Sequence, residues 1–139
     1  MVNIPVNPPS LVAPKGYAHG VLSGNTLHVA GQTALDQAGR IVGVGIVEQF
    51  RQALGNVLTT VAEVGGKPED IVSMTIYLTD VAAYQAHGAE IGIVWRELVG
   101  STYPAMAGIG VAGLWQPEAL IEIVAVAAIP AERLTSNGR

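Results

Sequence analysis

Glu122 is the residue whose placement asks most for a chemical explanation. It stands inside Leu120-Ile121-Glu122-Ile123-Val124, in the most apolar stretch of the chain. A carboxylate among such neighbours is costly unless it is paired, hydrogen-bonded or protonated. Two readings follow. It is either a carboxylate near a strand end, facing solvent or a structural partner, or a cleft acid that moves protons or positions water. Tyr17 follows a proline-rich segment. It is either an aromatic that anchors that segment or a phenol at a cleft mouth that donates to a ligand. Of the three histidines, His19 flanks Tyr17, His28 falls in a strand pattern and His87 in a helix pattern. No two have a metal-ligand spacing, and the absence of cysteine excludes thiolate metal sites, disulfides and cysteine nucleophiles. Neither G-x-S-x-G nor a phosphate-binding P-loop motif occurs. Gly108-Ile109-Gly110 is a G-x-G, but no helix follows it, so its glycines fit close backbone approach in a sheet or beside a ligand. No metal and no cofactor are expected.

The elements that must position these residues are legible from periodicity. Four of the eight prolines fall within residues 1–16, which predicts an extended arm. Gly20–Ser23 and Thr26–Gln32 form a strand pair about the turn residues Gly24-Asn25. Asp36–Arg40 reads as a turn leading into a short third strand, Ile41–Val44. Val47, Phe50, Leu54, Val57, Leu58 and Val61 recur at helical spacing, predicting a helix over Ile46–Val64 that Gly65-Gly66 ends. Ile71–Thr79 alternates, with Val72, Met74, Ile76 and Leu78 on one face and Ser73, Thr75, Tyr77 and Thr79 on the other. Asp80 suits the N-cap of a second helix, Val81–Val99, with Tyr84, Ile91, Val94, Trp95 and Leu98 inward. Met106–Ala112 and Leu120–Ile129 complete the strands, the last apolar on both faces.

The predicted order is β-β-β-α-β-α-β-β in a single domain of 139 residues, with a frayed tail over 134–139. Two helices cover one face of the sheet only, so the other face calls for a partner. Composition agrees. Half the residues are apolar and only 13% are charged, more greasy surface than so small a domain can bury alone. The net charge of −4 and seven scattered basic residues speak against a nucleic-acid partner, which requires clustered cations. No apolar run reaches the roughly 18–20 residues of a membrane span. No basic-then-apolar secretory signal opens the chain, and a cytoplasmic location is the expectation.

The chain resembles the RidA/YjgF family, also called endoribonuclease L-PSP or translation inhibitor. The similar segments are Gly16-Tyr17-Ala18-His19-Gly20, Gly24-Asn25 and Val29-Ala30-Gly31-Gln32, then Glu48-Gln49-x-Arg51-Gln52-Ala53-Leu54-x-Asn56. Asp70-Ile71-Val72, Tyr77-Leu78-Thr79-Asp80, Tyr103-Pro104-Ala105 and Leu120-Ile121-Glu122-Ile123-x-Ala125-Val126-Ala127 follow in the same order and spacing. The resemblance implies a chorismate-mutase-like α+β fold and a homotrimer whose sheets form a central barrel with helices outside. It implies small-molecule clefts at the three subunit boundaries, where reactive enamines and imines are hydrolysed to 2-oxo acids and ammonia. A tyrosine, a backbone carbonyl, a glutamate that positions water and a carboxylate-gripping arginine form that site. Tyr17, Gly31 and Glu122 match it.

The arginine does not match. The family's Pro-Ala-Arg-Ser is Pro104-Ala105-Met106-Ala107 here, and a common asparagine of the second helix is Gly88. The chain is thus identified with a subgroup lacking the substrate-binding arginine. Methionine cannot pair with a carboxylate, and losing one partner of a desolvated charge pair costs about 2–5 kcal/mol. Met106, Ala107 and Gly108 give a roomier, more apolar cleft, so a different ligand, less dependent on carboxylate recognition, is expected. Three functions compete. One is a hydrolase or deaminase of altered specificity using Glu122 and Tyr17; another is a non-catalytic ligand-binding or regulatory trimer. The third, a ribonuclease or translation inhibitor, the acidic charge opposes.

Overall fold

A computed structural model describes residues 2–135. Six strands form one mixed sheet in the order β1-β2-β3-β6-β4-β5. They are β1 (Ile4–Val6), β2 (Gly20–Ser23), β3 (Thr26–Gln32), β4 (Ile71–Leu78), β5 (Ala105–Gly110) and β6 (Ile121–Ala128). All neighbours run antiparallel except β4 and β5, which are parallel. Among the described residues three α-helices accompany the sheet: α1 (Ile46–Glu63), α2 (Val81–Ala86) and α3 (Gly88–Leu98). This is the expected α+β architecture.

The local chemistry of the predicted turns and caps is in place. Gly24 takes φ 63° as the first of two turn residues between Ser23 and Thr26, the geometry that glycine-first hairpin turns need. Asn25 then clips the hairpin tip to the end of β6, its Nδ2 donating to the Ile129 carbonyl at 3.0 Å. Helix α1 ends in a Schellman motif. Gly65 N–H donates to the Ala62 carbonyl and Gly66 N–H to that of Val61, with Gly65 at φ 89°. Asp80 caps α2 by accepting from the Ala83 N–H at 3.0 Å.

The core lies between the sheet and α1. Phe50, Leu54, Val57 and Val61 are fully buried against Leu22, Leu27, Met74, Ile121 and Ile123. Each such side chain contributes about 1.5–3 kcal/mol through burial. The buried stripe of α1 also carries Gln49, Asn56 and Thr60, all hydrogen-bonded. The opposite face of the sheet is left uncovered by the described residues. It presents Val126 and Val124 of β6, Thr75 and Tyr77 of β4, and Ala107 and Ile109 of β5, which sit side by side in the pairing register.

Five expectations are corrected. The arm contributes a strand, β1, because Ile4–Val6 reaches the free edge of β2, where Pro5 costs no central ladder bond. No third strand forms at Ile41–Val44; a single bridge, Leu35 to Ile41, closes that turn. The second helix is two, broken where His87 takes ψ 20° before Gly88, a poor helix former. A register shift between Ile71 and Ser73 turns Val72 out, 50% exposed, and puts Ile71 in the core instead. The start of the tail is docked: Thr135 N–H donates to the Val64 carbonyl at 3.2 Å and its hydroxyl to that of Glu63 at 3.1 Å. The rest of the expected frayed tail, 136–139, lies outside the described residues.

Candidate functional site

The site is built where the pairing of β3 with β6 slips. Val29 faces Ala125, yet Gln32 faces Ile123, so β3 spends an extra residue at Ala30-Gly31. Such bulges bend a strand and re-aim its groups, and they concentrate beside active sites. Here the bulge brings the Gly31 backbone against the Glu122 side chain. A Cβ on Gly31 would collide with Glu122 Oε2 and lie 2.7 Å from Cδ. Only glycine leaves room for the carboxyl group in this position.

Glu122 projects from the uncovered face of β6, opposite Tyr77 of β4. It lines a cavity of about 400 Å³ together with Lys15, Tyr17, Gly31, Trp115 and Gln116. A second, more open cavity of about 580 Å³ lies on the other side of Glu122, over Tyr77 and Val124, with Trp115 and Leu114 at its rim. Glu122 and Trp115 border both. Among the described residues Glu122 makes no ion pair, and burial pushes its carboxyl up from the ordinary carboxylate value. Burial likewise pushes the Tyr17 phenol up, although the residue is 47% exposed.

Two buried polar clusters hold the walls. His19 is buried and packs in a T-shaped arrangement with the Tyr17 ring, centroids 5.4 Å apart and planes at 85°. The His19 Nε2 bonds to the Val12 carbonyl at 2.7 Å, its Nδ1 faces the Gln32 amide at 3.2 Å, and its backbone N–H donates to Asn7. The Tyr17 segment is thereby tied to the end of β3. On the other wall, Gln49 of α1 clamps the β5–β6 loop. Its Nε2 donates to the carbonyls of Gly43 and Glu118, and its Oε1 accepts from the Leu120 N–H at 2.8 Å. Thr33 Oγ1 donates to Gln116 Oε1 at 2.9 Å. Asn56 supports Thr33 from below by donating to its carbonyl.

Of the residues predicted to form a site, one chain brings together Tyr17, Gly31 and Glu122. The other four are elsewhere. Met106, Ala107 and Gly108 lie on the exposed edge strand β5, two strands from Glu122, or about 10 Å across the sheet. Gly88 is exposed at the start of α3. None of the four lines either cavity. Met106 is 43% exposed and pairs with Met74, so it leans toward the helix side of β5. Sequence reasoning passed over Lys15, Trp115 and Gln116. The usable signal was Trp115 itself, a large aromatic amid Gly113, Gln116 and Pro117 in a loop with no core pattern. Among the described residues, no group of three or more His, Asp or Glu could hold a metal ion. No helix there is long and apolar enough to cross a membrane.

Comparison with known proteins supplies relatives for this arrangement. Residues 9–129 match the family model described as Endoribonuclease L-PSP. A RutC family protein of Pyrococcus horikoshii is 33% identical over 122 residues, 87% of this chain and 91% of its own. The human 2-iminobutanoate/2-iminopropanoate deaminase is 29% identical over 120 residues, covering 86% of this chain and 82% of that one. Among solved structures, the YjgF gene product of E. coli superposes with a TM-score of 0.77 at 29% identity, covering 89% of this chain and 97% of that one. E. coli TdcF with bound serine superposes with a TM-score of 0.76 at 28% identity, covering 91% and 98%.

Proposed function

This chain belongs to the endoribonuclease L-PSP family, the RidA/YjgF proteins, and on that premise we propose that it is a C–N hydrolase of altered specificity, working on small imines or enamines in clefts between the subunits of a homotrimer. The observation that carries the reading is the Glu122 carboxyl group, seated against the Gly31 backbone and beside Tyr17 in a cavity. A half-buried carboxyl held above its ordinary range is a better proton acceptor near neutral pH than an exposed one.

The chemistry balances with water alone. Glu122 takes a proton from water as the water oxygen bonds to the imine carbon. The proton passes to nitrogen, giving a carbinolamine; its hydroxyl proton then moves to nitrogen as the C–N bond breaks, so that ammonia departs and the water oxygen remains as the carbonyl oxygen of the product. Tyr17 donates a hydrogen bond to the bound substrate, and the Gly31 carbonyl accepts one from the imine or amine nitrogen. The separation of Met106, Ala107, Gly108 and Gly88 from this cavity within one chain supports an assembly. In a ring of copies, the β5 edge of one subunit closes the Glu122 cavity of the next, and the uncovered sheet faces meet in the centre. Met106 then gives that wall an apolar side chain and no cation, which narrows the reaction away from substrates gripped there by a carboxylate.

A panel of imines, enamines and cyclic amides tests the proposal. Turnover measured as released ammonia should fall about 100-fold or more in Glu122→Gln and less in Tyr17→Phe. Binding without Glu122-dependent turnover of any panel member would replace it with the second reading, a non-catalytic ligand-binding trimer, which the missing arginine at Met106 favours.

A further inference from the structure

The cavity that holds Glu122 contains one cation, Lys15, and one exposed indole, Trp115. Both come from segments anchored by the buried clusters described above. Lys15 precedes Gly16-Tyr17, on the segment that His19 pins through Val12 and Asn7. Trp115 precedes Gln116, which Thr33 holds, in the loop clamped by Gln49.

The charge of Lys15 is not consumed by an ion pair among the described residues. The ion pairs among the described residues are Arg51–Glu97, His87–Glu90 and Arg133–Asp70. Lys15 shares the cavity with Glu122 without pairing to it. Arg40 lies in the Asp36 turn and Arg96 on α3, and neither lines the cavity. Trp115 is 91% exposed, an unusual state for so large an apolar surface, and it sits at the boundary of both cavities.

We propose that Lys15 and Trp115 set the specificity of this cavity, Lys15 holding the anionic end of the ligand and Trp115 its aromatic or large apolar body. Anion recognition is thereby moved from the β5 edge, where Met106 stands, to the arm that also carries Tyr17. An ammonium is a point charge on a flexible stem, so it holds a carboxylate without the fixed two-pronged geometry of a guanidinium. It therefore accepts carboxylates at more than one distance from the reacting carbon. The substrate class that follows is an aromatic or bulky apolar imino acid, and its product is the matching 2-oxo acid. This assignment rests on the hydrolase reading for its reaction, but its binding claim stands apart from it.

Titration calorimetry with three probes tests it: phenylpyruvate, pyruvate and the uncharged phenylacetamide. The wild-type protein should bind phenylpyruvate more tightly than pyruvate. Lys15→Gln should weaken phenylpyruvate about fivefold, the upper range for a solvent-exposed ion pair, with recovery in Lys15→Arg and no change for phenylacetamide. Trp115→Ala should weaken phenylpyruvate about fivefold to tenfold and leave pyruvate unchanged. Equal affinities in wild type and Lys15→Gln would overturn the role of Lys15. A change of assembly mass in Trp115→Ala would reassign the indole to a subunit contact, and failure of wild type to bind phenylpyruvate would overturn the substrate class. These titrations need no water attack, so absent Glu122-dependent turnover would sink the reaction while leaving the affinity ratios to stand or fall separately.

Discussion

On the proposed hydrolase reading, Gly31→Ala should separate catalysis from stability. The added Cβ would lie 2.7 Å from Glu122 Cδ and 3.0 Å from Cγ, where ordinary contact begins at 3.4 Å. The carboxyl carbon must therefore retreat by about 0.7 Å, and its Oε2, which the methyl would strike directly, by more. The obstructed atoms are the far end of a flexible side chain, so the fold relaxes by a torsion change costing roughly 0.5–1.5 kcal/mol. The proposed catalysis has no such slack. A displacement near 1 Å in a proton acceptor costs about 100-fold in rate, which is about 2.7 kcal/mol of barrier. Ammonia release gives kcat, and thermal melting gives stability, on the same preparation. The double variant Gly31→Ala/Glu122→Gln should be no slower than Glu122→Gln alone, because the two changes act on one group. Wild-type kcat in Gly31→Ala, or a stability loss exceeding the catalytic loss, would refute the geometry.

Three further outcomes follow from the same structure. Burial raises the Glu122 pKa, so the folded chain holds that proton more tightly than the unfolded one. The resulting stabilisation is full below the unfolded carboxylate range and is lost as pH rises through the raised value. Glu122→Gln should therefore melt above wild type at pH 7, the gap closing by about pH 4; a lower melting point at pH 7 would count against it. Asp70 is the reverse case. Hydrogen bonds from Arg133 at 2.7 and 2.8 Å hold its carboxyl below the usual range despite burial. Its contribution is present above the unfolded pKa and lost as pH falls through the lowered one, so Asp70→Asn should melt lower at pH 7, with the difference shrinking below about pH 3. Val126 lies mid-face on the uncovered side of β6, between His28 and Ser73. Val126→Asp should sediment as the 14.4 kDa protomer and wild type at three times that mass; equal masses would remove the assembly from the proposal.

Period and punctuation made most of the fold readable. The α1 stripe, the β4 alternation and the glycine stops were each local, and tertiary packing agreed with them. Val72 and Ile71 exchanged roles because a register shift depends on the partner strand, which one strand's pattern does not encode. The break at His87 was masked by apolar residues that keep helical spacing on both sides of it. Tyr17, Gly31 and Glu122 were singled out separately, yet their meeting depends on the bulge at Ala30-Gly31 and on the placement of β3 beside β6. Lys15 and Trp115 were missed for a plainer reason. Both lie in loops, where neither periodicity nor burial pattern says which way a side chain will face.

The Gln49 clamp makes the β5–β6 connection an exchangeable part. Two of its hydrogen bonds fix the return of the chain at Glu118 and Leu120 from inside α1, whatever precedes that point, and the third holds Gly43. Residues from Val111 to Pro117 can then be lengthened, shortened or rewritten while the entry to β6, and with it the seat of Glu122, stays in register. On the proposed assignment of Trp115, a library confined to that loop should diversify the accepted molecules without unfolding the scaffold.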